Sequence, residues 1–254
     1  MGTPEIAALA LDVIFKAENL IQIVLAVTQP PTRASRGSGM IPSPLQEYAL
    51  KRGIPVVSPP TAKDPEFLSC LHALEPDLCI TAAYGNLLPK EFLQIPKFGT
   101  LNIHPSLLPK YRGAAPVQRA LEDGLQETGV SVLFTEFAMD AGPILAQQTY
   151  RLDEQMQAPQ VLKELFLLGA QLLVNKLPSL FAGRAKVTEQ NHAQATKAHK
   201  LKVEEGVLDF SLHAKALHNK VRAFTPWPST KAFFLIDEKP VEIKILTTQV
   251  LNPN

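Results

Sequence analysis

An asparagine and a histidine near the middle of the chain are of residue types that suit acyl-transfer chemistry. Asn102 and His104 are two residues apart in Gly99-Thr-Leu-Asn-Ile-His-Pro105, so on a strand both side chains point to one face. A side-chain amide can donate to a developing oxyanion, and an imidazole can exchange a proton near neutral pH. Pro105 ends the strand, which places the pair where open α/β sheets bind their ligands.

These residues also have a purely structural interpretation. Asparagine is a common turn former, and a buried histidine more often satisfies core hydrogen bonds than performs catalysis. Periodicity alone favours this interpretation for Asn102 and His104. In the same way, an isolated aspartate such as Asp140, two residues before Gly142, is ordinarily a turn residue.

The elements that must position these residues alternate between helix and strand. This alternation predicts an α/β fold of the Rossmann-like type, with a mostly parallel sheet and helices on both faces. The predicted helices cover residues 4–17, 44–52, 65–74, 116–125, 161–181 and 212–223. The predicted strands cover residues 20–27, 54–57, 78–82, 99–104, 130–137, 232–236 and 241–246.

The 254 residues leave room for one large domain and a smaller one. We expect a catalytic domain over residues 1–183, because a long amphipathic helix ends at Gly183. Residues 184–205 are polar and carry lysine and histidine, which is typical of a linker. Residues 206–254 are predicted to open a β-rich C-terminal domain.

Composition narrows the class of protein. A hydrophobic fraction of 46% and a charged fraction of 19% indicate a globular protein with a core. The net charge of +1 gives no strong field to recruit nucleic acid, so any RNA binding must come from local basic patches. Cys70 and Cys79 match no zinc-ligand spacing and are interpreted as reduced core thiols.

Other classes are disfavoured by the motifs they would need. No apolar run approaches the roughly 20 residues of a membrane span, and residues 1–20 show no targeting segment. No Gly-x-Gly-x-x-Gly opens the first helix, which disfavours a nucleotide-binding dehydrogenase. The other histidines show no metal-ligand arrangement and are predicted to be surface or structural residues: His72, His192, His199, His213 and His218.

The stretch from Asn102 to Pro116, NIHPSLLPKYRGAAP, resembles the signature of the 10-formyltetrahydrofolate-dependent formyltransferases. That signature combines Asn-x-His, Ser-Leu-Leu-Pro and a basic-Gly loop, and Asp140 follows ahead of Gly142 as the family pattern requires. Further segments resemble the branch of the family that acts on methionyl-tRNA, and together they span nearly the whole chain: residues 1–7, 27–44, 83–89, 197–209 and 221–228.

The resemblance implies transfer of a formyl group from 10-formyltetrahydrofolate, as co-substrate and without a metal, to the α-amine of initiator methionyl-tRNA for translation initiation. It implies catalytic roles for Asn102, His104 and Asp140. It implies a folate site formed by Tyr84, Leu88, Ser106, Leu107, Leu108 and Pro109. Four basic residues are candidates for tRNA contacts, although each could equally be a solvated surface charge: Arg33, Arg36, Lys110 and Arg112.

Other acceptors on the same fold remain open, namely a sugar nucleotide or glycinamide ribonucleotide, and so does a non-catalytic folate-binding remnant. The family has a strand before the Met1-Gly-Thr-Pro4 turn and a longer C-terminal domain, so we expect a chain truncated at both ends. A missing central strand predicts a gap in the sheet with unpaired backbone beside it. We further expect a monomer without membrane contact, in the cytoplasm of a bacterium or in the mitochondrial or plastid matrix of a eukaryote.

Overall fold

The computed structural model describes residues 1–33 and 39–251. Its α-helices are α1 (Glu5–Phe15), α2 (Pro44–Lys51), α3 (Pro65–Leu74), α4 (Lys90–Leu93), α5 (Pro116–Glu122), α6 (Ala158–Phe181) and α7 (Ala214–Phe224). Its strands are β1 (Ala26–Val27), β2 (Thr32–Arg33), β3 (Met40–Ile41), β4 (Val56–Val57), β5 (Cys79–Ala82), β6 (Thr100–His104), β7 (Arg112–Gly113), β8 (Glu127–Phe134), β9 (Ile144–Arg151), β10 (Lys197–Ala198), β11 (Thr230–Ile236) and β12 (Lys239–Ile245). Two short 3-10 helices cover His192–Gln194 and Val203–Gly206.

The central sheet has the order β5-β6-β8-β9. β5 and β6 are parallel, whereas β8 runs antiparallel to both of its neighbours. A separate parallel pair, β1 and β4, is joined to this sheet by the first two residues, since Gly2 N donates to Val27 O (2.9 Å) and Ala82 N donates to Met1 O (2.9 Å). The predicted α/β fold is confirmed, and β8 adds an antiparallel part to the expected parallel sheet.

Side chains on the two faces of the sheet enter different core clusters. Leu101 and Ile103 of β6 are fully buried in the larger cluster, which also contains apolar residues of α1, α2, α5 and α6. Cys79 of β5 belongs to a second cluster with residues of α3 and α4. Because side chains alternate along a strand, Asn102 and His104 point away from the larger cluster. Helices thus cover both faces, as the sequence indicates.

The strand predicted over residues 20–27 forms only at Ala26–Val27. Residues 22–25 make no backbone hydrogen bond in the part of the chain that the structure describes. They border a cavity of about 570 Å³ between this segment, residues 74–80 and α1. The gap expected in the sheet is therefore present, and Met1 and Gly2 bridge it only at its carboxyl end.

The segment after α6 pairs with β9 and with β7 before α7 begins. Thr188 forms an antiparallel bridge with Ile144, and β10 pairs in parallel with β7. α7 and the antiparallel β11-β12 hairpin follow. No helix in the described ranges has the length and apolar character needed to cross a membrane.

Candidate active site

Asn102 lies on β6 with its amide oriented by a neighbour on β5. The hydroxyl of Thr81 donates to Asn102 Oδ1 at 2.8 Å, which leaves Nδ2 as the free end of the amide. Within residues 1–33 and 39–251, no protein acceptor bonds to Nδ2, and Asn102 is half-buried. The amide therefore presents two N–H donors to the space above the sheet.

His104, at the carboxyl end of β6, lies between a backbone carbonyl and a carboxylate. Its Nε2 is 2.9 Å from Tyr111 O. A carbonyl oxygen only accepts hydrogen bonds, so in this arrangement Nε2 carries a proton. Nδ1 faces Asp140 Oδ1 at 3.6 Å, longer than a hydrogen bond. Nδ1 is thus the ring nitrogen that faces the Asp140 carboxylate, on the side of the ring away from Tyr111 O.

Asp140 is held by the loop after His104. Its Oδ2 accepts from Gly113 N at 2.8 Å, and its backbone lies in the left-handed region with φ of 53°. A non-glycine residue with this conformation is uncommon and requires support from its surroundings. The structure therefore brings His104 and Asp140 together on the face of β6 that also carries Asn102.

The Ser-Leu-Leu-Pro loop is held by hydrogen bonds with two polar side chains of β8 and β9. Ser131 of β8 donates to Ser106 O at 2.6 Å and accepts from Leu108 N at 3.2 Å. Gln147 of β9 donates to Leu108 O at 2.8 Å. Ser106 and Leu108 are buried, whereas the other two residues predicted to contact folate in this loop, Leu107 and Pro109, are partly exposed.

The second segment predicted to contact folate lies at the end of β5. The ring of Tyr84 is 4% exposed and packs in the second core cluster, and burial raises the pKa of its hydroxyl. Leu88 is partly buried against the same cluster. Two apolar side chains associated with this segment are exposed: Leu87 is 69% exposed, and Phe137, whose ring centroid lies 5.4 Å from Lys90 Nζ, is 71% exposed.

The four basic residues predicted to contact tRNA differ in their surroundings. Arg33 lies exposed on β2, which pairs antiparallel with β3, and Lys110 is exposed beside the Ser-Leu-Leu-Pro loop. Arg112 is half-buried and directs its guanidinium to Gln190, with Nε 3.0 Å from Gln190 Oε1. Arg36 lies outside the described residues.

Several polar residues around the site were not predicted from the sequence. Thr81, Ser131 and Gln147 lie on strands, where a polar residue gives no local signal of what it contacts. Gln190 lies in the polar stretch predicted to be a linker. A weak signal was available for Thr81 only: it interrupts an apolar strand run at the position parallel to Asn102.

These features define a class: an α/β protein with an Asn-His-Asp cluster at the carboxyl end of a central strand. Residues 1–177 match the formyl transferase family, and residues 200–254 match the formyl transferase C-terminal domain. The chain belongs to the formyl transferase family.

Among its relatives, the methionyl-tRNA formyltransferase of Chloroflexus aggregans is 43% identical over 234 residues, covering 92% of this chain and 75% of the relative. That of Xanthomonas campestris is 44% identical over 232 residues, covering 91% and 75%. A solved structure of the sugar 3N-formyltransferase WlaRD, with dTDP and 5-N-formyl-THF, superimposes with a TM-score of 0.67 at 17% identity, covering 96% of this chain and 83% of that one. At that identity the superposition shows a shared fold.

Proposed function

We propose that this chain transfers the formyl group of 10-formyltetrahydrofolate to the α-amine of methionyl-tRNA, which then serves translation initiation. The observation that carries the proposal is the cluster of Asn102, His104 and Asp140 in a chain 43–44% identical to methionyl-tRNA formyltransferases. Formyl donor and acceptor would meet above the carboxyl end of β6, where open α/β sheets hold their ligands.

The reaction forms a bond between the amine nitrogen and the formyl carbon and breaks the bond from that carbon to N10. An α-amine has a pKa of about 7.7–8, so a useful fraction is already neutral and can attack. The difficult steps are stabilising the tetrahedral oxyanion and moving a proton from the attacking amine to the leaving N10.

Each of the three residues has a role that its geometry allows. Asn102 Nδ2 donates to the oxyanion, because Thr81 fixes Oδ1 on the opposite side. His104 Nδ1 takes the amine proton and returns it toward N10, while Nε2 keeps its proton on Tyr111 O. Asp140, 3.6 Å from Nδ1, stabilises the imidazolium that forms.

With methionyl-tRNA as the proposed acceptor, other residues and segments of the chain would have roles in binding the tRNA. Arg33, Arg36 and Lys110 would contact tRNA phosphates. We propose residues 1–183 as the catalytic domain, 184–205 as the linker and 206–254 as the C-terminal tRNA-binding part. The enzyme would work as a monomer in the cytoplasm of a bacterium or in the mitochondrial or plastid matrix of a eukaryote.

The test is formylation of methionyl-tRNA by the purified chain with 10-formyltetrahydrofolate, measured as formylmethionyl-tRNA formed. Asn102→Ala and His104→Ala should each lower kcat about a hundred- to a thousandfold while the Kd for folate changes little, because both groups act on the transition state.

Three outcomes would contradict the proposal. Turnover with an amino sugar nucleotide or glycinamide ribonucleotide, and none with methionyl-tRNA, would reassign the acceptor. Folate binding without turnover by any acceptor would indicate a non-catalytic folate-binding protein. Loss of folate affinity in step with the rate would show that Asn102 and His104 only hold the ligand.

A further inference from the structure

A glutamine of the linker is buried against the catalytic loops. Gln190 follows the Thr188–Ile144 bridge and is 5% exposed, although its neighbours Glu189 and Asn191 are exposed. Burying an amide without hydrogen-bond partners is costly. The side chain of Gln190 must therefore be hydrogen-bonded within the protein.

Both ends of this amide are occupied. Nε2 donates to Asp140 O at 2.9 Å and to Gly142 O at 2.7 Å. Oε1 accepts from Arg112 Nε at 3.0 Å and also from Arg112 Nη2. The orientation of the amide is unambiguous, because carbonyls only accept and the guanidinium only donates.

These bonds close a ring around the catalytic pair. Arg112 lies between Tyr111, whose carbonyl accepts from His104 Nε2, and Gly113, whose N–H donates to the Asp140 carboxylate. Gln190 then joins the Arg112 side chain to the backbone of Asp140. The loop that holds His104 and the loop that carries Asp140 are thus joined directly by the Gly113–Asp140 bond and a second time through the side chain of Gln190.

Glutamine supplies two N–H donors and an acceptor on one amide, at the end of a side chain long enough to reach both loops. The two carbonyls need two N–H donors, and the guanidinium needs an acceptor on the opposite side of the same group. A glutamate would keep the contact with Arg112 but turn an oxygen lone pair toward the two carbonyls. Asp140 depends on such support because of its left-handed backbone, with φ of 53°.

We propose that Gln190 is a positioning residue for the proposed formyl transfer: it holds the Asp140 carboxylate against His104 and makes docking of the linker a condition for an assembled active site. This rests on the proposed catalytic role of Asp140. Gln190 itself touches neither substrate nor reacting atoms.

The experiment compares Gln190→Glu with wild type in the full chain, using whichever acceptor supports turnover. Gln190→Glu keeps the link to Arg112 and loses the donors to the Asp140 loop, so kcat should fall about tenfold to a hundredfold, as displacements of about 1 Å can cause. The KM for the folate donor should stay within about twofold of wild type, since the Ser-Leu-Leu-Pro loop is held independently by Ser131 and Gln147. The control is Gln194→Glu, the same change at an exposed linker position, which should leave kcat and KM unchanged.

A double-mutant cycle separates positioning from general support of the fold. In an Asp140→Asn background the carboxylate is gone, so Gln190→Glu should lower kcat by less than about twofold further. If Gln190→Glu fails to fold, Gln190→Ala takes its place in the same cycle. Equal losses in the wild-type and Asp140→Asn backgrounds, or a kcat unchanged by both Gln190 variants, would overturn the inference. A wild-type chain with no formyl transfer to any acceptor would instead overturn the proposed function.

Discussion

The hydroxyl of Thr81 decides which end of the Asn102 amide is free, and so which end would face the reacting groups in the proposed formyl transfer. A hydroxyl has one hydrogen to donate, and Asn102 Oδ1 at 2.8 Å is nearer than Leu101 O at 3.3 Å. The bond lies between two strands with fixed register, since Thr81 is paired with Asn102. Without it, the amide could rotate and present its oxygen to the oxyanion, which would repel it.

We therefore expect Thr81→Val to lower kcat about fivefold to tenfold, the equivalent of a net hydrogen bond of about 1 kcal/mol, with little change in the KM for folate. Thr81→Ser should restore most of the rate because it restores the donor. The measurement is steady-state formyl transfer by the three proteins at saturating donor.

Thr100→Val is the matched control for that substitution. Thr100 lies on the same strand as Asn102, is 2% exposed, and its hydroxyl has no partner among the described residues. Replacing a buried, unpartnered hydroxyl by a methyl should keep kcat and leave stability equal or slightly higher. If Thr81→Val and Thr100→Val had the same effect on kcat, the orientation argument would be wrong.

At the scale of the elements, α6 approaches the strands of the site at a glycine. A Cβ added at Gly169 would lie 2.5 Å from Ile103 Cγ2 and 2.7 Å from Val130 Cγ2. Ile103 is the residue between Asn102 and His104, and β-branched side chains on a strand have little freedom to move aside. The position of β6 therefore depends on this glycine.

Gly169→Ala should lower the free energy of unfolding by up to about 2 kcal/mol, because overpacking costs about 1–3 kcal/mol and the helix-propensity gain offsets about 1 kcal/mol of it. Urea unfolding measures this change. The control is Gly39→Ala, where an added Cβ meets none of the described residues within 4 Å and stability should change by less than about 0.5 kcal/mol. A Gly169→Ala protein more stable than wild type would mean that propensity alone decides.

The helices and strands also show which parts of the structure can be predicted from the sequence. The strand that carries Asn102 and His104 and the helices other than α4 are predicted to within a few residues, because their periodicity and proline boundaries are local signals, whereas the single turn of α4 is not predicted. β9 was not predicted, since its side chains after Leu145 are mostly polar, and the strand over residues 20–27 was overextended, because a strand exists only where a neighbour pairs with it. Gln190 has no local signal at all, since its role arises from contacts with residues 48–78 positions away.

At the scale of the whole molecule, the gap in the sheet places the Met1 amine in an unusual setting. The amine donates to Ile80 O at 2.7 Å, and burial lowers its pKa from 8.0 to about 6. Between these values the unfolded chain binds a proton that the folded chain does not, so stability rises with pH from about 6 to 8. The gain is at most about 3 kcal/mol.

The same gap leads to a prediction about an added segment. The cavity of about 570 Å³ lies directly behind Met1 and is lined by apolar side chains of α1 and of residues 20–27 and 74–80. An extension of five valine and isoleucine residues fused ahead of Met1 could run as a parallel strand, about 16 Å long at about 3.3 Å per residue, and pair with the backbone of Leu25 and Ile80. It should raise Tm by about 5 °C or more, the equivalent of about 2 kcal/mol for a chain of this size. Thermal unfolding of the original and the extended chain at pH 6 and 8 gives the measurement.

A glycine-serine extension of the same length is the control. It also replaces the amine by an amide and should remove the rise in stability between pH 6 and 8, but it cannot fill the cavity. Equal Tm values for the two extensions would show that an apolar strand in the gap does not stabilise the fold. An unchanged pH dependence of Tm in both would show that the Met1 amine does not cause that dependence.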